Sequence, residues 1–165
     1  MIYRLNYFLA VLLCIGSGFT LGMDRNNNAK QSLIAIFNAN DMDQESKKAA
    51  LESLIADGAN INETSPDGLT MLMQAVFVND MDMVLWLLDN GANVNIESKG
   101  NTALTVAISS RNFEMVNLLS GYSVDPLIGK INGKSVLQYL ESLAEGDNAD
   151  LNDSYFTAVD NVRDL

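Results

Sequence analysis

Four acidic residues early in the chain have the spacing of a calcium-binding loop. In order, they are Asp41, Asp43, Glu45 and Glu52, at the first, third, fifth and twelfth positions of such a loop. The glycine that the loop needs at its sixth position is Ser46 here, and Lys48 stands where an apolar residue belongs. Because Asp43 can instead cap a helix that carries Glu45 in its first turn, we predict a helix start and no metal site.

The tripeptide Gly133-Lys134-Ser135 matches the end of a phosphate-binding loop. The first glycine of that pattern should lie at position 128, which is Ile128 here, and Gly129 misses the position by one residue. We therefore interpret the tripeptide as a turn that leads into a helix, and we expect no cofactor.

The composition of the chain excludes several kinds of chemistry. There is no His, which rules out an imidazole base and any zinc site that needs a His ligand. The 10 Lys and Arg residues are outnumbered by 21 Asp and Glu, so the net charge is −11. Nucleic-acid binding requires clustered cations and stacking aromatic residues, and the sequence groups neither. No carboxylate pair stands in a catalytic signature, so we predict that the chain is not an enzyme.

This acidity also bears on the kind of partner. A protein with a basic surface would meet an acidic chain faster, because complementary potentials speed their encounter. The alternative is that the charge only keeps a small domain soluble.

Residues 1–22 have the pattern of a secretory signal peptide. Arg4 supplies the positive charge, Tyr7–Ile15 form an unbroken apolar run, and small residues suit cleavage after Gly18 or, as we prefer, after Gly22. The run is shorter than the roughly 20 residues that span a bilayer as a helix. An uncleaved anchor over residues 5–21 is the alternative. We expect a periplasmic or secreted protein with no stable membrane insertion after cleavage.

The one cysteine, Cys14, lies within this leader. The large Leu13 before it argues against lipoprotein processing. The processed chain would then have no disulfide, whereas small secreted eukaryotic domains usually rely on disulfides. This favours a bacterial periplasm, where the glycosylation-type triplets that begin at Asn62 and Asn152 would carry no meaning.

The remainder of the chain is organised by an internal repeat. The string DGLTMLMQAV begins at Asp67, KGNTALTVAI begins at Lys99, and NGKSVLQYLE begins at Asn132, at intervals of 32 and 33 residues. A second block recurs between them, as GANIN from Gly58, GANVN from Gly91 and a degenerate GYSVD that begins at position 121.

Each repeated residue type has a local structural reason. Glycines favour tight turns with a positive φ, and hydroxyl residues two positions later can cap a helix. Leucines two further on should lie in successive layers of one core. We expect left-handed helix ends at Gly91 and Gly121. The second helix of the third repeat should be short or distorted, because Met115 lies two residues nearer to Gly121 than Met83 does to Gly91. The three columns are Gly68, Gly100 and Gly133; Thr70, Thr102 and Ser135; and Leu72, Leu104 and Leu137.

These residues resemble the ankyrin repeat, above all in the segments 68–73 and 91–95. The resemblance implies an all-α solenoid of about four helix–loop–helix repeats with atypical caps, as in small exported bacterial proteins of this type. It divides the chain into a signal peptide at 1–22 and a repeat domain at 23–165, with repeats at about 28–62, 66–98, 99–131 and 132–164. Met73 and Thr105 stand where the family prefers a His that ties neighbouring loops, so we expect looser loops.

In this family the turn tips and the exposed side of each first helix line a concave binding surface. Phe77 with Val78 is the most distinctive part of it here, because family members usually place variable, often polar, residues there; the alternative is that the first repeat covers both. Trp86, on a second helix, should be half-buried packing. The partner-binding residues implied by column are Pro66, Asp67, Leu69, Ser98, Lys99 and Asn101 at the tips, and Phe77, Val78, Ser109 and Ser110 on the helices.

The sequence thus predicts an exported module that binds a protein and sequesters or assists it. One version is an immunity protein that neutralises a toxin, and another is an accessory factor to an exported enzyme. A secreted effector that binds host proteins is the competing interpretation.

Overall fold

The computed structural model describes residues 33–39, 41–144 and 153–165. The predicted signal peptide at 1–22 lies outside these residues, as do Cys14 and Asn152. Within the described ranges the chain forms eight helices and no strands, which confirms the all-α prediction. The helices are α1 at 33–37, α2 Gln44–Ala56, α3 Met71–Phe77, α4 Met81–Asp89, α5 Ala103–Ser109, α6 Phe113–Ser120, α7 Val136–Ala144 and α8 Asp153–Arg163.

The helices stack in successive antiparallel pairs. Helix α3 packs against α4 of its own pair and against α5 of the next, and α6 packs against both α5 and α8. The residues that cap the second helices also connect the pairs, since Gln44 Nε2 donates to Asp80 Oδ2 at 2.6 Å and Asn112 Nδ2 donates to Asn79 Oδ1 at 2.6 Å. This is the predicted solenoid of four helix–loop–helix units.

The hydroxyl column sets where the first helix of each later pair begins. Thr70 Oγ1 accepts from the backbone N–H of Met73 at 3.1 Å. Thr102 does the same for Thr105 at 3.1 Å, and the Thr105 hydroxyl oxygen accepts in return from the N–H of Thr102 at 2.8 Å. These bonds satisfy amides that an isolated helix end leaves without partners, so the predicted caps are confirmed.

Two of the three leucines in the column are buried. Leu72 and Leu104 are buried in one continuous core, whereas Leu137 is only half-buried. In the last pair Val136 and Leu140 provide the buried contacts instead. The expected layering in one core therefore holds for Leu72 and Leu104 and only in part for Leu137, since no further helix pair follows α7 and α8 among the described residues.

The turn glycines have the expected backbone conformation, and one helix end does not. Gly100 has φ of +83°, after Lys99 at +52°, which closes a two-residue hairpin tip. Gly91 has φ of +88°, but Gly121 is right-handed at −72°. The predicted left-handed end at Gly121 was wrong, because Ser123, at +46°, takes that conformation two residues later. Helix α6 is shorter than α4, with eight residues against nine, as predicted.

Candidate protein-binding groove

The acidic residues that resemble a calcium loop form a helix start instead. Asp43 is the N-cap of α2, and its carboxylate accepts from the backbone N–H of Ser46 at 2.9 Å and from the Ser46 hydroxyl at 2.8 Å. Glu45 lies in the first turn. Across the described ranges, no group of three or more Asp, Glu, Cys or His side chains could hold a metal ion.

The phosphate-loop tripeptide also has a structural role. Gly133 turns the chain with φ of +78°, and Ser135 caps α7 by accepting from the N–H of Gln138 at 3.3 Å. The Gln138 side chain accepts in return from the N–H of Ser135 at 3.1 Å. The tripeptide is therefore committed to a turn and a capping box.

A ladder of asparagines, which the repeat columns did not predict, joins the loops that follow the second helices. Asn62 Nδ2 donates to Gly91 O at 3.4 Å, and its Oδ1 accepts from Asn93 N–H at 2.7 Å. Asn95 repeats this one unit later, with Ser123 O at 3.0 Å and Asp125 N–H at 2.7 Å. The signal for the ladder was the last residue of GANIN and GANVN. Both the side-chain nitrogen and the side-chain oxygen of Asn62 make these bonds. The glycosylation-type triplet that begins at Asn62 therefore has a structural role.

The ladder gives a stability prediction. Asn95→Ala should lower the free energy of unfolding by about 1–2 kcal/mol, since a carbonyl and an amide on the next unit lose their partner. Urea denaturation of the two proteins measures the change. The matched control is Asn101→Ala, because Asn101 pairs with Ser98 through backbone atoms that alanine retains. An equal loss in both variants would contradict a role for the ladder.

The turn tips are tied to one another without the family's His. Lys99 Nζ donates to Asp67 O at 2.8 Å, and its methylene stem lies over Gly68, where a Cβ would come within 2.7 Å of Lys99 Cε. At the next tip, Lys130 N–H donates to Gly100 O at 3.3 Å. These bonds connect loops for which the missing His predicted looser coupling.

The sequence-predicted binding residues divide into two groups in the structure. At the tips, Pro66, Asp67 and Lys99 are exposed, whereas Leu69, Ser98 and Asn101 are half-buried. At the helix ends, Phe77, Val78, Ser109 and Ser110 are all exposed. Five of these ten come together in one groove, and they are Pro66, Asp67, Leu69, Phe77 and Val78. The other five, Ser98, Lys99, Asn101, Ser109 and Ser110, do not line it.

This groove, of about 400 Å³, lies between the first helix pair and the second. Helix α1 contributes Ile34, Phe37 and, just after its last turn, Asn38. The repeat pattern could not predict these residues, because α1 belongs to a unit whose sequence departs from the pattern. The position of α1 depends on tertiary packing. The remaining lining residues, also missed, are Ser65 and Gln74.

Phe77 and Val78 dominate the open side of the groove. They are 68% and 65% exposed, so the first repeat lines the groove without covering them. Their neighbours Ala75 and Val76 are buried, and helical spacing therefore directs Phe77 and Val78 away from the core. An exposed aromatic and aliphatic pair in a concave site is the pattern of a binding anchor.

Outside the groove, two conspicuous aromatic side chains have structural roles. Trp86 is half-buried, and its Nε1 donates to Glu52 Oε1 at 3.2 Å, which agrees with the predicted packing role. Tyr155 is buried in α8, and its hydroxyl donates to Leu140 O at 2.6 Å. Burial, together with the charge of Glu141, raises the pKa of Tyr155, so its phenol stays protonated and holds α8 against α7.

Comparison with known proteins identifies the family. The sequence model described as "Ankyrin repeats (3 copies)" matches residues 25–129. The chain belongs to the ankyrin-repeat family. Proteins built from these repeats typically bind other proteins.

Individual relatives match only through their repeats. A putative ankyrin repeat protein of Acanthamoeba polyphaga mimivirus is 38% identical over 90 residues, which are 53% of this chain and 22% of the viral protein. One from fowlpox virus is 36% identical over 83 residues, 47% of this chain and 24% of that protein. The ankyrin repeat, SAM and basic leucine zipper domain-containing protein 1 of Carollia perspicillata is 30% identical over 122 residues, covering 66% and 25% of the two chains.

The chain spans about a quarter or less of the length of these relatives. They are viral or eukaryotic, so they do not support the expected kinship with exported bacterial proteins. Among the described residues, no helix is both long and apolar enough to cross a bilayer.

Proposed function

We propose that this protein is an exported, non-catalytic binding module whose groove captures one partner protein and sequesters or assists it. The observation that carries the proposal is the exposure of Phe77 and Val78, at 68% and 65%, inside a concave site. Leaving two large apolar side chains in water has a free-energy cost, which a partner that covers them would recover.

Export rests on the sequence of residues 1–22, with its single early Arg4 and its apolar run. The same region favours the periplasm or secretion over an anchored form. Within that setting we favour sequestration, as by an immunity protein that neutralises a toxin, with service to an exported enzyme as the second form. A secreted effector that binds host proteins is the alternative, and fractionation of cells that make a tagged copy separates the two.

The net charge of −11 supports a basic protein as the partner and argues against nucleic acid. The residues that resemble a calcium loop and a phosphate-binding loop form helix caps and a turn instead. We therefore propose no cofactor and no catalysis.

Capture of the partner tests the proposal. The tagged full chain, expressed and crosslinked in its native host, should retain one predominant protein. The double variant Phe77→Ser, Val78→Ser should retain about thirtyfold less of this protein, because truncating a central aromatic anchor costs an interface about 2 kcal/mol or more. The matched control is Leu127→Ser, which removes a side chain that is 86% exposed and lies outside the groove. Equal capture by parent and double variant would contradict the proposal.

A further inference from the structure

The residues that line the groove have an uneven chemistry that defines what it can bind. Six are apolar, and they come from three separate elements: α1, the first turn tip and the end of α3. Three more, Asn38, Ser65 and Gln74, are neutral and polar. Asp67 is the one charged residue among the lining residues.

The carboxylate of Asp67 is available to a ligand. Its backbone oxygen accepts from Lys99 Nζ at 2.8 Å, which fixes the tip, but no hydrogen bond or ion pair within the described ranges reaches the carboxylate itself. Asp67 is exposed. A cation on a bound segment would therefore reach this carboxylate at the edge of an apolar site, with the Lys99 ammonium held beside it on the backbone oxygen of Asp67.

The neutral side chains suit a polypeptide ligand. Ser65 is committed to the turn, since its Oγ accepts from Leu69 N–H at 3.2 Å. The side-chain amides of Asn38 and Gln74 have no hydrogen bond to another described residue. Each amide offers both a donor and an acceptor, which is what the N–H and C=O groups of a peptide backbone require.

From these features we propose that the groove recognises a protein segment that carries a large aliphatic side chain with a Lys or Arg close to it in sequence. The aliphatic side chain packs on Phe77 and Val78, and the cation pairs with Asp67. This inference deepens the proposed function, and rests on it, by stating the chemistry of the partner.

Charge disfavours the other occupants of such a groove. A fatty acid or an anionic lipid would bring its negative group to Asp67. A second copy of this chain could offer the exposed Leu127 and Lys130, but two molecules of net charge −11 repel each other. The same field attracts a basic segment, so local and overall charge favour one kind of ligand.

The first test selects random 12-residue peptides, displayed on phage, against the full chain and, in parallel, against its Phe77→Ser, Val78→Ser variant. Peptides enriched only on the parent should carry Leu, Ile, Met or Phe within about four residues of Lys or Arg. The proposal is overturned if the enriched peptides are acidic or lack cations, if both proteins select the same peptides, or if no peptide depends on the groove.

The second test is a double-mutant cycle on the leading synthetic peptide, followed by fluorescence anisotropy. Changing its Lys or Arg to Gln should weaken binding to the parent about two- to fivefold, as expected for an exposed ion pair, and should have no effect on Asp67→Asn. The control variant, Asp89→Asn, removes an exposed charge on α4 outside the groove and should behave like the parent. Equal losses on Asp67→Asn and on the parent would show that the cation does not meet Asp67.

Two further results separate this inference from the proposed function. If the groove variant loses its cellular partner while the cycle shows no coupling to Asp67, the function stands and the recognition chemistry fails. If the peptides behave as expected but the groove variant keeps its cellular partner, the proposed function fails alone. A dimer in sedimentation velocity that Phe77→Ser, Val78→Ser abolishes would identify a second copy as the occupant and overturn the inference.

Discussion

Leu104→Ala should lower the free energy of unfolding by about 2–5 kcal/mol, a large share of the roughly 5–15 kcal/mol that stabilises a typical domain. Leu104 is fully buried on α5, and α5 packs against both α3 and α6. Truncation removes apolar contact and leaves a cavity that tightly packed neighbours fill only in part. Because each unit of a solenoid contacts only its neighbours, a cavity in the middle layer also uncouples the first units from the last.

Urea denaturation followed by circular dichroism measures this loss. Leu137→Ala is the matched control, since it makes the same change in the same column at a half-buried position. It should cost clearly less than Leu104→Ala, because less contact is lost. If both variants unfold at the same urea concentration, or if Leu104→Ala unfolds like the parent, the layered core is assigned incorrectly.

The contrast between these two leucines shows what a repeat pattern can predict. Periodicity placed Leu72, Leu104 and Leu137 in equivalent positions, and the local capping residues placed the helix starts correctly. Burial also depends on what lies on the far side of each residue. The contacts on that side come from the helix pairs that pack after the residue, and a single repeated position carries no information about them.

The error at Gly121 has a different origin. Matching GYSVD to GANVN on its glycine gave an offset of 30 residues. In the ladder, Asn62 bonds Gly91 and Asn93 while Asn95 bonds Ser123 and Asp125, so Ser123 is equivalent to Gly91 and Asp125 to Asn93, an offset of 32. The second helices, α4 and α6, keep the same offset of 32, since Met83 and Met115 occupy equivalent positions and are both buried. Buried side chains, not the glycine, determine where the loop begins, and Ser123 tolerates the left-handed conformation there.

The candidate site could be predicted only in part for a similar reason. Column matching gave Phe77, Val78 and the first turn tip, because those positions belong to regular units. It could not give Ile34 and Phe37, which reach the groove through the packing of α1. The side of the groove that α1 forms, which makes the exposed Phe77 and Val78 part of a concave site, therefore arises from tertiary packing.

The segment between α6 and α7 carries the second large expected effect. Gly129→Ala should lower the free energy of unfolding by about 2–5 kcal/mol, from two causes that add. Gly129 has φ of +83°, a conformation that costs an L-residue roughly 1–2 kcal/mol. A Cβ there would also lie 2.9 Å from Thr105 Cγ2 and 3.1 Å from Thr102 Cγ2, and overpacking of this kind costs about 1–3 kcal/mol.

Neither threonine can move aside easily, because both are buried and each caps the other at the start of α5. Gly133→Ala separates the two causes, since Gly133 has a similar φ of +78° but open space around its Cβ position. That variant should lose only the conformational part. Thr105 occupies the position of the family's His, so the extra loss of stability in Gly129→Ala over Gly133→Ala measures how firmly this segment packs on the second turn tip. Equal urea midpoints for Gly129→Ala and Gly133→Ala would mean that backbone conformation alone requires the glycine, and that the contact with Thr102 and Thr105 does not hold the segment in place.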